Sequence, residues 1–265
     1  MNEVITFGKG YQMNNGIKVF VQSSQRCDNV TVIDLENSKD VVVYLKRNKI
    51  NTPDGVVISN KYSVDLSLSP YTLKVILFYL YCKYYSKADN VYLTDFTDVY
   101  FQGNIFDNIV RDKVTVFSEE NTIGNCLTNT AWINICYNAD IMGLLKYKPI
   151  INGGCILGDR LLVVDLLKEM CNECTNVISR IGNYQNIDQA ILNKVVHFDH
   201  ARYFIEDKAV ANMAQKKKGK EMKREKGIRC PYPVYCISGE SMPDIIHQYD
   251  CNKQIEKELY EYYIW

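Results

Sequence analysis

Over the first ninety residues, short apolar runs rich in β-branched side chains alternate with longer stretches whose apolar positions recur at helical spacing. Val4-Ile5-Thr6-Phe7 reads as a first strand ending in Gly8-Lys9-Gly10, and a helix is expected from about Asn15 to Cys27. Val30-Thr31-Val32-Ile33 follows as a second strand closed by Asp34. Val41 to Lys46 is expected to be helical and Gly55 to Ile58 to form a third strand. Ser69-Pro70 opens a long helix through Tyr85, with proline in the first turn, where its missing N–H has no partner to lose. This alternation predicts an α/β fold, a mostly parallel sheet joined by crossover helices.

The next strand, Val91 to Leu93, breaks into Thr94-Asp95-Phe96-Thr97-Asp98, two carboxylates three residues apart at a strand end. Two such groups repel each other and lose hydration, so a fold keeps them together where a divalent cation or a substrate neutralises them. Ligands of open α/β sheets bind beyond the carboxyl ends of the strands. Phe7, Gly8, Lys9, Gly10, Asp34, Asp95 and Asp98 are therefore expected to share one edge as a ligand site, one that handles phosphates. The glycines after strand one let backbone approach a ligand, but the GxGxxG pattern of dinucleotide folds is missing.

The second half is less periodic. Pro149 to Gly158 reads as an apolar strand interrupted by Asn152-Gly153-Gly154, where glycines mark a bulge or the close approach of a ligand. Asp188 is placed to cap a short helix carrying Ile191 and Leu192. His247, beside an apolar strand, reads on its own as a hydrogen-bonded core residue more readily than as a metal ligand. Residues 215–226, QKKKGKEMKREK, read as a solvated loop; the alternatives are a lid bringing cations to a diphosphate, or a patch on residues 216–226 for peripheral contact with anionic lipid or acidic glycan. In the tail, Ile255, Leu259 and Tyr262 have the spacing of a helix docked on the body.

Composition narrows the field. A chain of 265 residues with 47% hydrophobic content can bury one large core, and 31 Lys+Arg against 31 Asp+Glu argue against a nucleic-acid partner. The ten cysteines sit in apolar contexts such as Leu80-Tyr81-Cys82, which suits free thiols in a reducing compartment. A zinc site on Cys171, Cys174, Cys230 and Cys236 is disfavoured by the wide second spacing and by the helical reading of Leu166 to Met170. The apolar stretch from Leu73 to Tyr85 is interrupted by Lys74 and Lys83 and is too short to span a bilayer, and the N-terminus lacks a signal-peptide pattern. A soluble, cytoplasmic protein is expected.

In order, LTDFTDVYFQ, INGGCILGD, DQAILN and IIHQYD resemble the nucleotide-sugar glycosyltransferases of the GT-A fold over nearly the whole chain, and among them the retaining class that includes glycogenin and the lipopolysaccharide galactosyltransferases. The resemblance implies one GT-A domain: residues 1–100 as its nucleotide-binding half, 101–250 as its donor-sugar and acceptor half, and 251–265 as a C-terminal helix. It implies Mn²⁺ or Mg²⁺ on Asp95, Asp98 and His247, with the division of labour between the two aspartates open. It further implies donor contacts from Lys74, Asn152, Gly153 and Gly154, and Asp188 with Gln189 facing the sugar. Cys251 stands where related sequences often carry a basic residue and no Lys-Pro-Trp follows the histidine, so Lys253 is the expected substitute for that phosphate contact. The activity implied is transfer of a hexose or related sugar from a UDP-sugar to a hydroxyl acceptor in glycan biosynthesis, with retention. The alternatives are inversion with Asp188 as base, or a non-catalytic glycan- or metal-binding module. A sugar-nucleotide pyrophosphorylase would need a longer glycine-rich loop than Phe7 to Tyr11.

Overall fold

The computed structural model describes residues 1–8, 14–27, 29–34, 51–52, 62–183, 187–213, 222–224, 232–237 and 242–263. Its strands are β1 (Asn2–Gly8), β2 (Val30–Asp34), β3 (Asn51–Thr52), β4 (Asn90–Thr94), β5 (Val99–Phe101), β6 (Val114–Thr122), β7 (Pro149–Asp159), β8 (Tyr203–Glu206), β9 (Val210–Asn212), β10 (Met222–Arg224), β11 (Tyr235–Ile237) and β12 (Ile245–His247). Its helices are α1 (Asn15–Ser23), α2 (Pro70–Tyr84), α3 (Leu127–Cys136), α4 (Ala139–Leu145), α5 (Arg160–Ile181), α6 (Ile187–Phe198) and α7 (Lys253–Tyr263). No described helix is long and apolar enough to cross a membrane.

Seven strands form the main sheet in the order β3-β2-β1-β4-β7-β6-β8, with β3 a two-residue edge. All neighbouring pairs are parallel except those of β7, which runs antiparallel to both β4 and β6. The central strands are apolar on both faces because both are covered. In β4, Val91 and Leu93 join the core beneath α2, α5 and α6, while Tyr92 turns to the other face with Phe20 of α1 and Phe101. Helix α2 begins where proline predicts it, with Ser69 Oγ accepting from Thr72 N at 3.2 Å. Buried Glu3 of β1 ties the helix down by accepting from Tyr81 Oη at 2.8 Å and from Ser86 Oγ at 2.5 Å. This anchorage fixes the face of α2 that carries Lys74.

A second sheet orders its strands β5-β12-β9, with β12 antiparallel to β5 and parallel to β9. Buried Gln102, just after β5, joins this sheet to the β10–β11 hairpin. Its Nε2 donates to Tyr235 O at 2.8 Å and to Pro243 O at 2.5 Å, and its Oε1 accepts from Tyr235 N at 3.0 Å. Gln102→Leu keeps the bulk but strands three buried backbone groups, and a loss of about 2 kcal/mol in urea unfolding is expected. A change inside experimental scatter would mean that solvent reaches those groups.

The expected first and second strands, the helices from Asn15 and Ser69, and the strand at Asn152-Gly153-Gly154 are all present. The expected helix at Val41 to Lys46, the strand at Gly55 to Ile58, and Lys9 and Gly10 lie outside the described residues. Three expectations change. Asp188 is not the cap of α6 but sits inside its first turn. Met222 to Arg224 of the charged run pair with β11 as a strand, because Met222 buries against the core, while the rest of the run lies outside the described residues. Tyr263, not Tyr262, completes the inner face of α7 with Ile255 and Leu259, each one turn from the last, and its ring meets Tyr100 at 5.9 Å. Cys171 and Cys174 lie on α5, and Cys230 is outside the described residues.

Candidate metal centre and ligand pocket

Asp95 and Asp98 sit on the short link between the two sheets. Asp95 is the first residue after β4, its N–H donating to Gly154 O of β7 at 3.1 Å, and Asp98 immediately precedes β5. His247 ends β12 opposite Asn212, which ends β9. The register brings Asn212 Oδ1 to 2.9 Å from His247 Nδ1, and Asn212 Nδ2 donates to Ser118 O at 3.4 Å, which orients the amide. The neutral imidazole therefore carries its proton on Nδ1 and turns the Nε2 lone pair toward the acids. Nε2 lies 3.3 Å from Asp95 Oδ2 and 3.8 Å from Asp98 Oδ2.

One ligand atom from each of Asp95, Asp98 and His247 lies within 4.8 Å of the others. An oxygen-led donor set with one imidazole fits Mn²⁺ or Mg²⁺, and the imidazole favours Mn²⁺. Electrostatics around the trio agree with that fit. Burial pushes the Asp98 carboxyl up to about 6, with His247 opposing and Asp95 adding to the rise. Burial acts on Asp95 in the same sense, but Lys74 and His247 outweigh it and hold that carboxyl well below the usual range. For His247, burial works against the charged ring, and Asp98 and Asp95 more than compensate, raising it.

Lys74 bridges this trio to α6. Its Nζ lies 3.0 Å from Asp95 Oδ1, 3.0 Å from Asp188 Oδ2 and 3.4 Å from Gly153 O. Burial alone would depress the ammonium, yet Asp188 and Asp95 hold its proton more tightly than on a free lysine. Asp95 thus uses one oxygen for Lys74 and turns the other toward His247.

The groups open on a cavity of about 330 Å³, with Tyr71, Trp132 and Gln248 completing its wall. β7 bulges at this point: the pairing with β6 shifts register between Ile156 and Ile151, and the intervening backbone lines the cavity. Gly154 is required there, since a Cβ would stand 2.3 Å from Asp95 Oδ2. Behind the bulge, Asn152 Nδ2 donates to Glu119 Oε1 at 3.0 Å, and Asn152 Oδ1 accepts from Gly154 N at 2.8 Å. Gln189 Nε2 donates to Glu119 Oε1 at 3.3 Å and to Asn129 Oδ1 at 3.0 Å, while its Oε1 accepts from Gly153 N at 3.0 Å. The Gln189 amide thus braces the bulge. Burial raises the carboxyl of Glu119.

Nine of the residues singled out in the sequence meet in this pocket: Lys74, Asp95, Asp98, Asn152, Gly153, Gly154, Asp188, Gln189 and His247. Others do not. The Phe7 side chain is buried in the core, Gly8 pairs with Asp34 where β1 and β2 end, and exposed Lys253 pairs with Glu256 at 2.8 Å. Sequence reasoning missed Tyr71 and Trp132, and it missed Glu119, Asn129 and Asn212 behind the wall. Glu119 follows the apolar run Val114 to Phe117 as one of two adjacent acids, and nothing local separates it from Glu120. Neither a protein-family model nor a curated protein matches the chain.

Proposed function

We propose that the chain is a metal-dependent glycosyltransferase of GT-A type, which moves a hexose or related sugar from a nucleoside diphosphate sugar, with UDP as the expected nucleotide, to a hydroxyl of a glycan or other acceptor. The observation that carries this reading is the convergence of Asp95, Asp98 and His247 with Lys74 on one cavity at the carboxyl end of β4. The mixed sheet and the meeting of four sequence motifs at that edge support it.

Asp95, Asp98 and His247 would hold Mn²⁺, with Asn212 fixing the ring that supplies the nitrogen. The cation, when bound, supplies Lewis-acid neutralisation of the departing diphosphate. Lys74 adds a preorganised positive charge beside it, fixed in place by Asp188 and Asp95. Asp188 is ion-paired to Lys74 and so is not a free base, and Gln189, a neutral amide held by the bulge, is no base at all. That favours retention: the bond from the anomeric carbon to phosphate breaks, the acceptor oxygen bonds on the same face, and the acceptor proton passes to the leaving phosphate.

The test is release of UDP from a panel of UDP-sugars in Mn²⁺ and in EDTA. Turnover that needs Mn²⁺ is expected for at least one sugar. No turnover together with no nucleotide binding would replace the reading with a non-catalytic metal- or glycan-binding module.

A further inference from the structure

Consecutive residues of an extended strand face opposite sides, yet His247 and Gln248 both line the cavity. The chain achieves this by turning at Gln248 into the left-handed region, φ 57° and ψ 39°. Two other non-glycine residues among those described have positive φ, Ser63 and Asp112, both exposed and in turns. Glutamine lacks the short side chain with which asparagine and aspartate ease that conformation. A left-handed glutamine at the wall of a pocket is a candidate functional position.

The side chain delivered there has an unmet need. Gln248 Oε1 is buried and has no hydrogen-bond partner. Of its neighbours in the cavity, Asp95, Asp98 and Asp188 are acceptors when ionised, Lys74 is bonded to two of them, and Gln189 already donates to Glu119 and Asn129. Two other donors on the wall, the Tyr71 hydroxyl and the Trp132 indole N–H, make no bond to it. An acceptor left in this state is stabilised when the half-buried side chain turns its amide to the cavity and a ligand supplies the partner.

We propose that Gln248 is a ligand-reading residue, its side-chain amide pairing with a sugar hydroxyl of the bound nucleotide sugar. This rests on the function proposed above. A hydroxyl both donates and accepts, so it pairs with an amide in either orientation, whereas a phosphate offers acceptors only. Two parts of such a ligand carry hydroxyls, the ribose and the sugar to be transferred. The first residue after His247 then divides the labour with it: the histidine faces the acids, and the glutamine reads the sugar.

The experiment measures calorimetric binding of Mn²⁺ alone, of UDP with Mn²⁺, and of UDP-glucose, UDP-galactose and UDP-N-acetylglucosamine with Mn²⁺, to the wild-type chain and to Gln248→Gly and Gln248→Asn. Glycine is at ease in the left-handed region, so this variant should fold, and asparagine keeps an amide while drawing it back by one methylene. Mn²⁺ affinity should be unchanged, and in both variants a nucleotide sugar that binds the wild type should bind about 10-fold more weakly, the worth of one lost hydrogen bond. An equal loss for UDP assigns the hydroxyl to the ribose, and a loss confined to the UDP-sugars assigns it to the transferred sugar; either upholds the proposal. Unchanged binding of UDP and every UDP-sugar by both variants overturns it. A wild-type chain that binds none of these nucleotides overturns the proposed function first, and this inference with it.

Discussion

Asp98→Asn should make the metal-free protein more stable at neutral pH while removing its hold on Mn²⁺. The Asp98 carboxyl stands at about 6 against an ordinary 3.8 because burial, and then Asp95, disfavour its charged form. A group whose folded pKa is raised leaves the fold unpenalised below the unfolded value and costs stability increasingly as pH rises through the folded one. The penalty that asparagine removes is therefore absent below about pH 4 and complete above about pH 7, on the order of 2–3 kcal/mol. Urea unfolding in EDTA at pH 7.5 and at pH 4 reads the difference. Asparagine also withdraws one anionic ligand, and because outer partners alone are worth 10–100-fold, Mn²⁺ affinity should fall by at least about 100-fold. A variant less stable than wild type at pH 7.5 would show that Asp98 has a stabilising partner in the fold, and the strained-acid reading of the site would fail.

The chain signalled this site unevenly, for a physical reason. Asp95 and Asp98 could be read because local pattern is enough: an apolar run ends, and two acids follow at a strand tip. The bulge at Asn152-Gly153-Gly154 was equally local. The second sheet was not, since β5, β9 and β12 have three residues each and owe their pairing to contacts between distant segments, 35 residues apart for β9 and β12 and more than a hundred apart for β5 and β12. Asn212 reaches His247 only through that pairing, so nothing near either residue in sequence announces the tautomer it sets. The direction of β7 was likewise hidden, because an apolar run has no polarity of its own. On α7, Tyr262 and Tyr263 are chemically equal choices at nearly helical spacing, and only docking against Tyr100 separates them.

Lys74→Met should move both readouts the opposite way, losing stability while keeping the metal. Methionine preserves most of the buried stem but removes the cation lying 3.0 Å from both Asp95 and Asp188. Taking one partner from a buried ion pair leaves uncompensated charge, and a cost of about 3–5 kcal/mol in urea unfolding at pH 7.5 is expected. Asp188→Asn added to Lys74→Met should recover part of that loss, because one stranded carboxylate is then neutral. Mn²⁺ should still bind, since Asp95 meets Lys74 through Oδ1 and faces His247 through Oδ2. Its stabilising effect should exceed that on the wild type, because a cation that binds the native state now supplies the counter-charge the lysine gave. Melting curves with and without Mn²⁺ check this. A cost below about 1 kcal/mol would place the pair among solvent-screened surface bridges. A Lys74→Met protein that no longer binds Mn²⁺ would instead show that the lysine is needed to aim Asp95, so the ammonium and the metal would form a single site.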